Sequence, residues 1–121
     1  MIRGTVNDRL EAIVRLPLRG DAGTELDLDF IVDTGFTSAL KLPASAILDL
    51  GLVRKAKSSA NLADGSRRTF DVYGVAIDWD GTSKTVLAYA IGDVPMIGMK
   101  LLAGFRMNVD VEPLGEVEIV P

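Results

Sequence analysis

Neither cysteine nor histidine occurs anywhere in the 121 residues. The first absence excludes disulfides, thiolate nucleophiles and sulfur-ligated metals, and the second removes imidazole as a base or ligand. An acid is then the only strong candidate for catalysis. No stretch approaches the roughly 18 apolar residues that span a bilayer, and Met1-Ile2-Arg3-Gly4-Thr5 lacks an apolar signal region. A cytoplasmic location away from membranes is the default expectation. The chain is also short of positive charge. Its formal net charge of −4 argues against nucleic acid as a partner, although Arg54, Lys55, Lys57, Arg67 and Arg68 make the middle locally basic. That cluster reads as a solvated face. There is no repeat, low-complexity tract or linker, so residues 1–121 read as one globular domain.

Against this background one placement stands out. Phe30-Ile31-Val32-Asp33-Thr34-Gly35 is a run of buried-type side chains that ends in an ionisable group, a hydroxyl and a glycine. A carboxylate at the end of an apolar strand is costly without partners, which marks Asp33 as a site rather than as surface.

The rest of the chain is mainly extended in character. Residues from Thr5 to Leu18 and from Glu25 to Val32 favour strands, and Leu26-Asp27-Leu28-Asp29-Phe30 alternates with period two. The glycines and aspartate of Arg19-Gly20-Asp21-Ala22-Gly23-Thr24 predict a hairpin loop between them. Thr37 to Leu42 predicts a short strand, and Pro43 suits the first position of a helix over Ala44 to Leu50 that Gly51 ends. Residues 52–80 predict a long hairpin turning at Asp64-Gly65, with a return strand from Arg67 to Trp79. Asp80-Gly81 is a second turn. Lys84 to Ile91, Phe105 to Val111 and Gly115 to Val120 complete the strands, and Gly98 to Ala103 is a turn or short helix. The class is all-β with one or two short helices.

Apolar-apolar-Asp-Thr-Gly surrounds the catalytic aspartate of aspartic peptidases, and Ile31-Val32-Asp33-Thr34-Gly35 resembles it closely. The order of elements adds weight: a strand pair before the motif, a glycine-tipped hairpin after it, then Met96-Ile97-Gly98-Met99-Lys100-Leu101-Leu102. That last segment is similar to the apolar-apolar-Gly stretch and helix that cross behind the active-site loop in retropepsin-like proteases. From the second strand to about residue 110 the chain resembles the small bacterial single-domain members of that clan.

The resemblance implies a closed β-barrel and a homodimer that hydrolyses a polypeptide substrate, with one Asp33 from each subunit. Asp-Thr-Gly occurs once, so one chain supplies half of such a pair. Two carboxylates about 3 Å apart repel by roughly 5 kcal/mol at an effective dielectric of about 20, so a pair would share one proton. One carboxylate then takes a proton from water while its protonated partner polarises the scissile carbonyl. By the same resemblance Thr34 grips across the dimer axis, Gly35 permits the tight turn, Ile97 and Gly98 form the floor, and Ala63, Asp64 and Gly65 tip a substrate-covering flap. No cofactor or metal is implied.

The chain departs from the viral pattern at Phe36, where a small residue is usual, at Thr37 and Ser38, where acids are common, and at Met99, where an arginine braces the interface. Blander readings stand beside the sharp one. Asp33 can cap its own turn, Asp64-Gly65 can be a plain hairpin turn, and Tyr73 and Trp79 can be packing residues. Asp27, Asp29 and Asp33 share a face only if the strand stays regular through Val32, and a solvated face is favoured there over a metal cluster. A catalytically silent domain that keeps the fold for dimerisation or peptide binding is the alternative function.

Overall fold

The computed structural model describes residues 1–61 and 64–121. In chain order its elements are β1 (Ile2–Val6), β2 (Ala12–Arg19), β3 (Glu25–Val32), β4 (Leu40–Leu42), α1 (Ala44–Leu50), β5 (Arg54–Asn61), β6 (Arg67–Trp79), β7 (Thr82–Ala90), β8 (Met96–Ile97), α2 (Met99–Leu102), β9 (Arg106–Val109) and β10 (Glu116–Val120).

The strand expected from Thr5 to Leu18 is in fact two. Asn7 breaks it: its Oδ1 accepts from the amides of Arg9 and Glu11 at 3.0 and 2.9 Å, and Leu10 takes a φ of 62°. An asparagine side chain that satisfies backbone donors two and four residues on competes with ladder pairing, which turns β1 back onto β2. The strand expected from Thr37 is likewise confined to Leu40–Leu42. The carbonyls of Phe36, Ser38 and Ala39 are used instead by the amides of Met99, Lys100 and Gly98. Pro43 is the N-cap of α1 rather than its first helical residue, because its φ of −70° and ψ of 155° are extended. Gly51 ends the helix as expected, at φ 61°.

Six strands close into a barrel in the order β2, β3, β8, β4, β7, β6, with Leu18 and Arg19 of β2 meeting Ile77 and Ala76 of β6 to complete the ring. Antiparallel pairing of β2 with β3 follows from the short loop between them. The pairings β3 with β8 and β4 with β7 are parallel, which the long connections between these strands allow. Pro17 is tolerated in β2 because it falls where pairing with β1 has stopped at Val14 and pairing with β6 has not begun. Outside the ring, β5 extends β6 as a hairpin, and β10 and β9 continue the sheet beyond β1.

Alternation fills the interior. Val14, Leu16 and Leu18 of β2 point inward against Phe30, Leu40, Leu42, Ile77 and Ile97, while Arg15, Asp27 and Asp29 face out. Each fully buried aliphatic or aromatic side chain contributes about 1.5–3 kcal/mol, so this cluster is the main stabilising feature of the barrel. Trp79 belongs to it, buried with its ring edge-on to Phe105, and Tyr73 packs against its margin. Both are packing residues. None of the described helices is long and apolar enough to cross a membrane.

Candidate active site

Asp33 follows the last residue of β3, and its backbone is pinned from both sides. Its amide donates to Ile97 O at 2.8 Å, and its carbonyl accepts from Phe36 N at 3.1 Å. Because Ile31 and Val32 run parallel to Met96 and Ile97, the Asp33 loop and the Ile97-Gly98 segment emerge side by side at one end of the barrel. The sequence reading placed Ile97 and Gly98 beneath Asp33, and the two segments do adjoin. Ile97 is fully buried and Gly98 presses on the loop.

Each carboxylate oxygen of Asp33 has its own partner. Oδ1 accepts from the amide of Gly35 at 3.0 Å, a local turn of the kind the bland reading foresaw. Oδ2 accepts from Lys41 Nζ at 3.1 Å, with the side chains of Lys41 and Asp33 22% and 30% exposed. The carboxylate is thus half-buried, oriented and open to solvent on one side. A methyl group on Gly35 would lie 3.3 Å from Asp33 Oδ1, so glycine matters here through the approach of that oxygen. Thr34, at the tip, is exposed. Beside it Met99, Leu102, Phe105 and Met107 line a shallow, mainly apolar depression.

Lys41 was not foreseen. In Leu40-Lys41-Leu42 alternation says only that the lysine faces away from the two buried leucines. What brings it to Asp33 is pairing: β4 lies antiparallel to β8, which lies parallel to β3. Phe36 completes the arrangement. The ammonium stands 4.8 Å from the centre of the Phe36 ring, which meets Tyr89 edge-on at 5.6 Å. A cation over an aromatic face is attracted to it, so Phe36 acts as a rest for Lys41.

Asp64 and Gly65 sit in the turn between β5 and β6, Gly65 at φ 83°, and Ala63 lies outside the described residues. Asp64 Oδ1 accepts from the hydroxyl and amide of Ser66 at 2.6 and 2.8 Å. These bonds, the hydroxyl's first, hold the Asp64 carboxyl below the usual carboxylate range. Nearly every residue of β5 is exposed, as in a projecting hairpin, and the basic cluster lies along β5 and the start of β6. Among the described residues no hydrogen bond or ion pair joins this hairpin tip to the Asp33 loop.

The acids weighed as a metal cluster do not converge. Asp29 pairs with Arg15 at 3.1 Å, Asp27 is exposed, and no group of three metal-ligating side chains is found among the described residues.

No family model matches the sequence, and no curated protein matches it. Similarity appears at the level of solved structures. A retropepsin-like aspartic protease from Rickettsia conorii superimposes with a TM-score of 0.56 at 20% identity, covering 99% of this chain and 91% of that one. The EIAV protease, solved with the inhibitor HBY-793, gives 0.53 at 19% identity over 74% of this chain and 83% of that one. At such identities the likeness concerns architecture, and the architecture is the retropepsin-like fold.

Proposed function

We propose that this chain is an aspartic endopeptidase that acts as a homodimer, with Asp33 from each subunit activating a water that hydrolyses a peptide bond. The observation that carries the reading is the position of Asp33: an oriented, solvent-accessible carboxylate at the tip of β3, beside Ile97-Gly98, in a retropepsin-like barrel whose sequence has neither cysteine nor histidine.

One loop offers one carboxylate, and a two-fold axis beside the exposed Thr34 would supply the second. The apolar depression beside Thr34 supports an interface there, since shielding Met99 and Met107 from water favours association. With one proton between the two acids, the ionised carboxylate takes a proton from water as the oxygen attacks the scissile carbonyl. The protonated partner donates a hydrogen bond to the developing oxyanion, then the proton passes to the leaving amine. No covalent intermediate forms. Thr34 and Gly35 hold the loop, Ile97 and Gly98 support it from behind, and the β5–β6 hairpin, with Asp64 and Gly65 in its turn, closes over an extended polypeptide by backbone pairing.

The test is Asp33→Asn. It keeps the shape and the hydrogen bond from Gly35, so folding should persist while cleavage of an unfolded protein disappears. An Asn variant that still cleaves ends the proposal. The engagement of Asp33 Oδ2 by Lys41 favours a second reading, in which the carboxylate is structural and the fold serves dimerisation or peptide binding. A stable dimer with neither turnover nor affinity for a statine-type inhibitor would select that one.

A further inference from the structure

Lys41 bears on how two Asp33 loops could meet, and this inference rests on the dyad reading above. Bringing two carboxylates to about 3 Å is opposed by their mutual repulsion unless a proton is taken up or a cation is at hand. Here a cation is at hand in each chain. The Lys41 ammonium is 3.1 Å from Asp33 Oδ2, is mostly shielded from solvent, and rests on the Phe36 ring that Tyr89 braces.

Among the described residues no other charged group pairs with it. The neighbouring elements carry Glu25, Asp27 and Asp29 on β3, Asp49 on α1, Lys84 and Tyr89 on β7 and Lys100 on α2, whereas β8 carries no charge. Asp29 is engaged by Arg15, and none of these groups lies within ion-pair distance of Asp33 or Lys41. Asp33 and Lys41 form a pair of opposite charges resting on the Phe36 ring.

We propose that Lys41 is a positioning residue for the assembled site: it fixes the Asp33 carboxylate and supplies the counter-charge that lets two such loops meet without taking up a proton. Two loops carrying both residues sum to zero charge, so the dimer forms at neutral pH. The shared proton needed for hydrolysis enters afterwards, as the solution becomes acidic. Assembly and catalysis are separated. Without the ammonium the two carboxylates must bind a proton in order to meet, and association becomes linked to pH.

Sedimentation equilibrium of the full chain between about pH 5.5 and 8 at fixed ionic strength, for the wild type, Lys41→Met and Lys41→Arg, reads this directly. In the wild type and Lys41→Arg the dissociation constant should change by less than about threefold. In Lys41→Met it should rise on the order of tenfold per pH unit, the slope of one linked proton. If Lys41→Met does not fold, Lys41→Gln takes its place. A neutral variant as flat as the wild type, a steep wild type, or an Arg variant that behaves like Met overturns the role of Lys41 while leaving the dyad standing. A wild type that stays monomeric at every pH overturns the dyad reading, and this role with it.

Discussion

Gly98 faces Ser38 so closely that a methyl group on its Cα would lie 2.0 Å from the Ser38 carbonyl oxygen. Phe36 O and Cδ2 would follow at 2.7 and 2.6 Å. Two of these three atoms are backbone and cannot swing aside. The same approach lets the amides of Gly98 and Met99 donate to Ala39 O and Phe36 O at 2.8 and 2.7 Å, which ties the Asp33 loop to the segment behind it. Gly98→Ala should therefore destabilise the fold by at least about 2 kcal/mol, in the range of overpacked cores. Urea unfolding checks this, and a variant within about 0.5 kcal/mol of the parent would mean that the two segments separate easily.

That contact also marks where sequence reasoning reached and where it stopped. Asp33 and its glycine were legible from local chemistry, an acid ending an apolar run before a tight turn, whereas the Ile97-Gly98 segment was placed only by resemblance to the retropepsin-like pattern. The class and the β5–β6 hairpin were legible from alternation and the Asp64-Gly65 turn. Asn7 was legible in principle, as a turn former between two strands, yet the apolar residues around it read as continuous. Lys41 was not, because its meeting with Asp33 passes through two strand pairings, one parallel and one antiparallel, that no local pattern encodes. Phe36 had been noted only for its bulk, and its contact with Lys41 needs the same long-range geometry.

The hairpin tip allows a prediction about pH. The Asp64 carboxyl is held below its ordinary range by the Ser66 hydroxyl and amide, so its ionised form is favoured by the folded turn. A group whose folded value is depressed contributes stability above its unfolded value and loses it as pH falls through the folded one. The turn should thus be fully formed above about pH 5 and loosen only at or below about pH 4. Carboxyl chemical shifts and exchange of the Ser66 amide read this locally. Ser66→Ala should move the Asp64 titration back up, and an unchanged titration would show that the hydroxyl bond is absent in solution.

Gly35 separates the stability of the loop from its function. Its backbone has no positive φ, so alanine is conformationally admissible, and the atom in the way is the side-chain oxygen Asp33 Oδ1, 3.3 Å from the added methyl. That oxygen can yield by a few tenths of an ångström. The yielding lengthens the 3.0 Å bond from the Gly35 amide and turns the carboxylate that Lys41 holds from the other side. Gly35→Ala should accordingly unfold within about 1 kcal/mol of the parent, as is usual for substitutions away from the core. On the proposed function, peptide cleavage should fall by about tenfold or more, because misplacing a reacting group by a fraction of an ångström raises the barrier far more than it affects folding. Paired unfolding and cleavage assays decide the matter: equal losses in both would make Gly35 a folding residue, and unaltered cleavage would show that the orientation of Asp33 does not govern the reaction.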